Sequence, residues 1–265
     1  DAIRQNTYQT MSTMGSNTFI VSNEGTIRRS GGPRRHRKSQ NPSITIQQTE
    51  QFKQNFRFPS TVSVSYVVNE IAIVKHESKK TNPNVKVFAG DENYLKVSGQ
   101  TVAEGRNFSK TEIEAGSDVI LLGKDVVAKV FEPYDTVVGK LVSIGTKKFK
   151  VVGLLGSKGA SQVSSDNQAI IPVQNARYSF PDNNTSYTIN CMLNETKDID
   201  LAVDEATGIF RAIRRLRLFD NDDFQISKSD RLADQALDII NKIRFATLII
   251  GALTLLGSGI ALMNI

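Results

Sequence analysis

The sequence predicts an α+β fold with an inserted, smaller β-rich domain and a C-terminal helix that enters a membrane. Three observations support this prediction. Strand–helix–strand blocks lie near both ends of the chain, a stretch punctuated by glycine separates them, and the last 21 residues carry no charge. Because each block has an apolar face to bury, the two outer blocks are expected to share one core as a single sandwich.

The first block follows from alternating and helical spacing of its apolar residues. The expected elements are a short helix over 2–14, a strand over 18–22, a helix over about 45–56, a strand with alternating residues over 62–66 and a strand through Val85 and Val87. Gly15 is the expected stop of the first helix, and Asn82 to Asn84 form a turn. The alternation of Val62 and Val64 with Ser63 predicts a strand that is buried on one face.

The last block repeats the pattern of the first. Apolar residues alternate from Tyr187 to Leu193, a helical stripe runs from Ala202 to Leu216, and Phe224 with Ile226 predicts a short strand. Residues 1–90 and 183–229 are therefore expected to form one discontinuous domain. Cys191 falls in the alternation and is expected to be a buried, unreactive thiol.

The middle stretch, residues 91–182, differs in composition from both blocks. Short apolar strands are expected at Val119 to Leu122, Leu141 to Ile144 and Phe149 to Leu155, and glycines separate them. This spacing predicts an inserted subdomain that is rich in β-structure.

The C-terminal run from Phe245 to Ile265 is long and apolar enough to cross a bilayer, since about 20 residues at 1.5 Å each span the roughly 30 Å hydrocarbon layer. The alternative is a buried helix of a soluble domain, although the mean hydropathy of the whole chain is only -0.25. Residues 230–244 are amphipathic and join the run without Gly or Pro. They predict a stalk helix that continues into the transmembrane helix at 245–265.

Small residues recur on one face of the predicted transmembrane helix. Because small side chains let two membrane helices approach closely, this face is expected to pack on another membrane helix. The residues of this packing face are Thr247, Gly251, Thr254, Ser258 and Ala261.

The positive charge of the chain is concentrated in one segment. Lys and Arg total 33 against 27 Asp and Glu, and six basic residues without an acid account for the difference: Arg28, Arg29, Arg34, Arg35, Arg37 and Lys38. The segment has no interleaved aromatic residues, which disfavours nucleic acid as a partner. Contact with anionic lipid headgroups or an acidic partner, and a solvated loop without a role, remain as alternatives.

Enzymatic and metal chemistry have little support in the sequence. One cysteine and two histidines, His36 and His76, exclude an internal disulfide and the usual zinc spacings. The run from Gly153 to Gly159 lacks the Lys-Ser/Thr of a phosphate-binding loop. Acidic residues at Asp220, Asp222 and Asp223 are more typical of a solvated turn than of a cation site. No catalytic residue, cofactor or metal is therefore expected.

Several segments together resemble the extracytoplasmic region of MacB-type ABC transporter permeases, the MacB/FtsX/LolC-E group. The resemblance rests on the order and spacing of these segments: MGSNTFIV from Met14, YLKVSGQTVAEGRNFS from Tyr94, DVILLGKDVVAKVF from Asp118, VVGKLVSIGTKKFKVVGLL from Val137, IIPVQNA from Ile170 and the predicted membrane helix. It covers nearly the whole chain and leaves the Arg-rich segment without a counterpart.

This resemblance implies a periplasmic domain similar to the porter modules of resistance-nodulation transporters, with a smaller domain inserted. It also implies a homodimer or heterodimer of permeases in the bacterial inner membrane, with residues 1–244 on the periplasmic side. A cytoplasmic ATPase subunit or domain would supply the energy, and a periplasmic adaptor or outer-membrane component could join it. Substrates in the group are macrolides, peptides or lipoproteins, and some members activate a hydrolase. The chain, which begins at Asp1 without a signal peptide, would be part of a longer one.

Two other functions remain open at this point. A membrane-anchored extracytoplasmic enzyme would need a nucleophile, a base and an orienting group, which the sequence does not offer together. A sensor or adhesion ectodomain would need no ATPase. Lys242 and Arg244 precede the predicted membrane helix on the side that the family places outside, against the positive-inside rule. A large folded domain is placed largely regardless of two such charges.

Overall fold

The computed structural model describes residues 17–23, 41–157, 166–182, 184–195, 198–229 and 247. Its strands are β1 (Thr18–Ser22), β2 (Ser60–Ala72), β3 (Val74–His76), β4 (Lys79–Lys80), β5 (Val85–Gly90), β6 (Val102–Gly105), β7 (Val119–Leu122), β8 (Leu141–Ile144), β9 (Lys147–Leu155), β10 (Gln168–Pro172), β11 (Thr188–Leu193) and β12 (Gln225–Lys228). Its helices are α1 (Ile46–Asn55), α2 (Tyr94–Val97), α3 (Lys110–Ala115), α4 (Lys124–Val130), α5 (Val173–Ser179) and α6 (Ile199–Ile213).

All of these strands belong to one mixed sheet. Their order is β12-β1-β11-β2-β5-β10-β7-β9-β8-β3-β4, and β6 pairs with β9 beside this path. Strand β10 runs parallel to β5 over five residue pairs, and β7 runs parallel to β9. The other pairings are antiparallel. The predicted mixture of helix and strand is therefore confirmed, with the sheet as its dominant element.

Strands β12, β1, β11, β2 and β5 form the first half of the sheet, and the other strands form the second half. One face of the first half packs on α1 and α6. The phenyl ring of Phe52 in α1 stacks on the ring of Phe56, with 5.0 Å between the centroids. It also makes an edge-to-face contact with Phe210 of α6, with 6.1 Å between the centroids. Phe19 of β1 lies against Phe56 at 6.1 Å. Helix α1 begins with a capping box in which Thr45 and Gln48 satisfy each other's backbone N–H groups. These aromatic contacts hold both helices on the sheet.

The opposite face of this half is also covered, which differs from the one-sided burial predicted for β2. Ser63 and Ser65 are buried, as are Ile20 of β1 and Val97 of α2, which pack together. The register of β1, β11 and β2 places Ile20, Asn190 and Ser63 side by side on this face. Small serines alternating with valines are typical of a solvated face, but here α2 packs over them.

The middle of the chain contains short helices as well as the predicted strands. Strands β7, β8 and β9 lie where the sequence predicts them, while α3, α4 and α5 were not predicted. Glycines allow close strand contact here: a Cβ on Gly153 of β9 would lie 2.6 Å from the carbonyl oxygen of Arg106. Gly153 therefore lies within the sheet, paired with Gly105 of β6 and Leu121 of β7, and not in a phosphate-binding loop.

A hairpin from the first part of the chain lies at the far edge of the sheet. Strands β3 and β4 precede the middle stretch in sequence, yet β3 pairs with β8 through Val74 and Ile144. Strand β2 ends at Ala72, and only one residue separates it from β3 at this edge. The two halves are thus joined both through β5–β10 and through β2.

Several predicted segments lie outside the described residues. They are the helix over 2–14, the basic segment from Arg28 to Lys38, the stalk over 230–244 and the transmembrane helix over 245–265, of which only Thr247 is described, as helical and exposed. In the described part of the chain, no helix has the length and apolar character needed to cross a membrane.

Helix α3 gives a prediction on pH dependence. The guanidinium of Arg106 forms two hydrogen bonds of 2.7 and 2.6 Å with the carboxylate of Glu112, and the backbone N–H of Ser109 donates a third. The hydrogen bond from Arg106 is the main reason why the pKa of Glu112 falls to about 2 from its usual 4.5. A lowered pKa in the folded state stabilises the fold above pH 4.5, and this contribution is lost as the pH falls toward 2.

We expect Glu112→Gln to lower the free energy of unfolding by about 1 kcal/mol at pH 7, after allowance for screening at the exposed Arg106, and by almost nothing at pH 2. Denaturant unfolding at both pH values measures the difference. Glu114→Gln is the matched control, since Glu114 forms only an exposed pair with Lys110 at 3.8 Å. An equal loss at both pH values would show that Arg106 does not stabilise the ionised Glu112.

Candidate functional site

The most strongly built polar centre of the described structure lies around Asp91, where the chain leaves β5 and enters the middle stretch. Asp91 is 3% exposed and directly follows Gly90, the last residue of β5. Ser65 of β2 is paired with Gly90 at the end of the β2–β5 ladder, so the backbone N–H of Val64 on this side has no strand partner. The carboxylate of Asp91 takes the place of that partner, because a buried N–H needs an acceptor.

Donors from several elements converge on this carboxylate. The backbone N–H of Val64 donates to Oδ2 at 2.9 Å and the hydroxyl of Ser63 donates to Oδ1 at 2.7 Å. The ammonium of Lys53 in α1 lies 2.6 Å from Oδ2, and the backbone N–H of Asn93 donates to Oδ1 at 3.2 Å. We call Lys53, Ser63, Val64, Asp91 and Asn93 the Asp91 node.

The geometry of the Asp91 node indicates a structural role. Each of the two carboxylate oxygens accepts two hydrogen bonds, which leaves the carboxylate little capacity to transfer a proton or to bind a ligand. The amide of Asn93 also donates to the carbonyl oxygen of Val62 at 3.1 Å. The node therefore fixes α1, β2 and the start of α2 relative to one another at the junction of the two halves of the sheet.

A second buried polar pair lies on the sheet face that α2 covers. The amide of Asn190 in β11 donates to the hydroxyl of Ser65 at 2.8 Å, while its own Oδ1 has no hydrogen-bond partner. Asn190 is fully buried. Burial of an unsatisfied amide oxygen costs stability, and the pair adds specificity to the register of β11 on β2.

The structure places the other residues of interest in structural positions. Cys191 is buried in β11 as predicted, and burial raises the pKa of its thiol, which disfavours the reactive thiolate. His76 ends β3, where Nδ1 lies 2.7 Å from the carbonyl oxygen of Leu141 and the ring packs on Phe131.

The acidic residues after α6 are partners of arginines. Arg211 pairs with Asp222, and Arg214 lies 3.7 Å from Asp223. Asp220 accepts a hydrogen bond from the backbone N–H of Arg217 at 2.9 Å. Over the described ranges, no group of three or more His, Cys, Asp or Glu side chains is close enough to hold a metal ion.

The remaining predicted site residues cannot be placed relative to these. The basic residues from Arg28 to Lys38 lie outside the described residues, and so does the packing face except Thr247. Sequence reasoning did not single out the Asp91 node. A lone aspartate after a buried strand is a common signal for a turn, and only the fold brings Lys53 and Ser63 to it.

The chain is similar in sequence to known export proteins. The Nitrosomonas europaea macrolide export ATP-binding/permease protein MacB is 24% identical over 269 residues, which cover 100% of this chain and 38% of that protein. The Pseudomonas entomophila pyoverdine export ATP-binding/permease protein PvdT is 27% identical over 192 residues, covering 71% of this chain and 29% of that protein. The chain thus spans less than two fifths of the length of these relatives.

Solved structures share the fold. The periplasmic region of MacB from Actinobacillus actinomycetemcomitans matches with a TM-score of 0.64 at 17% identity, covering 85% of this chain and 95% of that one. The extracellular domain of the noncanonic ABC-type transporter YknZ from Gram-positive bacteria matches with a TM-score of 0.60, also at 17% identity, covering 80% and 100%. The family model of the MacB-like periplasmic core domain matches residues 1–209, and the chain belongs to this family of ABC transporter permease domains.

Proposed function

We propose that this chain is the extracytoplasmic part of an exporting ABC permease, in which it passes motion driven by cytoplasmic ATP hydrolysis to events outside the inner membrane. The observation that carries the proposal is membership of the MacB-like periplasmic core domain family. The continuous sheet and the Asp91 node support it, because a domain that transmits force must move as a stiff body.

The proposal assigns the expected parts to specific segments. Residues 1–90 and 183–229 form a porter-like domain, 91–182 form the inserted subdomain, 230–244 form the stalk and 245–265 cross the membrane, which places 1–244 on the periplasmic side. Pairing of β11 and β12 with β1, and of β11 with β2, supports the discontinuous domain. The β3–β4 hairpin is an exception, since it pairs with β8 of the inserted subdomain.

Partners and substrates follow from the relatives. The two relatives above are named ATP-binding/permease proteins, so the proposed partner of this chain is an ATPase domain or subunit. A second permease copy or homologue, and a periplasmic adaptor or outer-membrane component, complete the proposed assembly. Macrolides and pyoverdine, the substrates in the relatives' names, are the first compounds to test.

The membrane-facing part of the proposal is tested at the packing face. Gly251→Leu in the full-length protein should leave ATP hydrolysis in place and reduce export at least tenfold, because the larger side chain separates two closely packed membrane helices. ATP hydrolysis and efflux of a macrolide or pyoverdine are measured in parallel. Leu255→Ala is the control on another face. Unchanged export with Gly251→Leu, together with loss of export with Leu255→Ala, would show that the packing face is wrong.

A further inference from the structure

Four strands at the far edge of the sheet have one buried face and one open face. They lie side by side in the order β9-β8-β3-β4. Val74, Val142 and Phe149 are buried on one face, where α4 packs on β3 and β4. The residues that alternate with them lie on the other face of the same strands, up to Lys150, and are exposed or half-buried. This second face is therefore open to solvent.

The open face carries a row of lysines. Lys148 of β9 lies opposite Ser143 of β8, and Ser143 lies opposite Lys75 of β3. Lys75 in turn lies opposite Lys80 of β4. Directly opposite residues share a face, so this row crosses four strands and is roughly 14 Å long at about 4.8 Å per strand. Lys150 is two positions after Lys148 and lies on the same face. We call Lys75, Lys80, Lys148 and Lys150 the lysine face.

Carboxylates do not neutralise the lysine face. Its four side chains are exposed and form no ion pair with a carboxylate of the described residues. On the other face of the same strands, Lys79 pairs with Glu132. Lys147, also on that other face, pairs with Asp118 at 2.9 Å. The nearest acidic residue along these strands is Glu77, in the turn between β3 and β4, and its carboxylate lies 4.0 Å from the imidazole at the end of β3. The lysine face therefore keeps an excess of positive charge.

Protection of the sheet edge explains only part of this charge. Lysines on an edge strand prevent pairing with another sheet, which accounts for Lys80 in β4. It does not account for Lys148 and Lys150, because β9 is paired with β7 on one side and with β8 and β6 on the other. Like charges directly opposite each other, as at Lys75 and Lys80, destabilise a sheet. An anion bound across the row would remove this repulsion.

The shape and chemistry of the lysine face favour a linear anionic polymer over a bilayer. Lysine is a compact point charge on a flexible stem and does not require the planar, two-point geometry that arginine matches. Binding sites for a membrane surface combine basic residues with several large apolar side chains that insert among the lipids. Leu141, opposite Lys150 and 57% exposed, is the one large apolar side chain on this face of the described strands up to Lys150. Charges in a line match a polymer that carries its anionic groups in a line.

We infer that the lysine face binds a linear polyanion with repeated phosphate groups, which follows the row from Lys148 to Lys80. The contacts are electrostatic and release counterions from the polymer, so the affinity falls steeply as the salt concentration rises. Ser143, half-buried in the middle of the row, offers a hydroxyl to the same polymer. This inference goes beyond the proposed coupling to ATP hydrolysis and does not depend on it.

Binding of fluorescently labelled inorganic polyphosphate tests the inference on the full-length permease in nanodiscs of zwitterionic phosphatidylcholine. All proteins compared carry glutamine at the six basic positions from Arg28 to Lys38, so that this second basic segment does not contribute. Fluorescence anisotropy gives the affinity at several salt concentrations. Lys75→Gln together with Lys148→Gln should weaken binding about tenfold or more at low salt and make its salt dependence less steep. Lys79→Gln together with Lys147→Gln is the matched control, because it removes the same charge from the other face of the same strands. The control should weaken binding by at most about twofold.

Thermal unfolding separates a binding defect from a folding defect. Without polyphosphate, the variant with Lys75→Gln and Lys148→Gln should unfold at a temperature no lower than its parent, because the repulsion with Lys80 is relieved. Polyphosphate should raise the Tm of the parent and not that of the variant. Four results would each overturn the inference: no binding of polyphosphate, an equal loss of affinity in both double variants, competition by inorganic phosphate as strong as by polyphosphate at equal phosphate concentration, or binding through these lysines to phosphatidylglycerol vesicles but not to polyphosphate.

Discussion

Asp91→Asn is expected to lower the free energy of unfolding by about 3 kcal/mol or more. The substitution keeps the size of the side chain but removes its charge and turns one acceptor oxygen into a donor. That donor then faces the N–H of Val64, the hydroxyl of Ser63 or the ammonium of Lys53, all of which are donors within 3 Å of the carboxylate. Hydrogen bonds to charged groups contribute about 1.5–3 kcal/mol each, and a broken buried pair costs about 3–5 kcal/mol.

Denaturant unfolding followed by circular dichroism measures this loss. Asp204→Asn is the matched control, since Asp204 is exposed on α6, and it should change stability by less than about 0.5 kcal/mol. Asp91→Asn should cost less in a Lys53→Met background, because the ammonium no longer needs a partner. A loss below about 1 kcal/mol for Asp91→Asn, or strict additivity with Lys53→Met, would mean that the node does not depend on the ion pair.

Phe210→Ala is expected to cost about 3–5 kcal/mol, as for other large-to-small changes at fully buried aromatic residues. The ring of Phe210 is completely buried between Phe52 of α1 and Phe224, at 6.1 and 4.8 Å between centroids. Its loss leaves a cavity where both helices of this face meet the edge of the sheet. The same unfolding measurement applies.

Leu201→Ala on the same helix is the control, because it also replaces a large apolar side chain of α6 by alanine. Leu201 is largely exposed, so this change should cost less than about 0.5 kcal/mol. Similar losses for Phe210→Ala and Leu201→Ala would show that α6 does not pack as described. The Phe210 variant should also disturb the loop between α6 and β12, because Arg214 at its start lies over the same ring.

The elements of the outer blocks could be predicted because their signals are local. Apolar alternation located β2, β5 and β11, and helical spacing located α1 and α6 to within a few residues. Leu216 was included in the helical stripe, but α6 ends at Ile213. Such an error of a few residues is typical of helix ends, where the final turn frays.

The features that were missed depend on tertiary contacts. Burial of Ser63 and Ser65 requires α2 over the sheet and hydrogen bonds to Asp91 and Asn190, none of which leaves a periodic pattern. Helix α3, with 6 residues, is too short for a helical repeat to be recognised.

Two features of the structure have weak sequence signals. The Asp91 node joins residues 38 positions apart in sequence, from Lys53 to Asp91. The loop after α6 is held by Arg211, which donates to the carbonyl oxygens of Arg217 and Asp220 beyond the end of the helix. Both could be recognised only once the fold placed their partners.

The central claim, that this domain receives ATP-driven motion through a stiff stalk, is tested most directly by a proline in that stalk. Ala236→Pro in the full-length transporter would kink a helix over 230–244, whereas Asp230→Pro falls in its first turn, where proline is tolerated. ATP hydrolysis and efflux of a macrolide or pyoverdine are measured side by side for both variants. We expect Ala236→Pro to retain ATP hydrolysis and to lose at least nine tenths of the export rate, which corresponds to roughly 1.4 kcal/mol in activation free energy. Asp230→Pro should retain both hydrolysis and export. Export by Ala236→Pro at the wild-type rate per ATP hydrolysed would contradict the central claim.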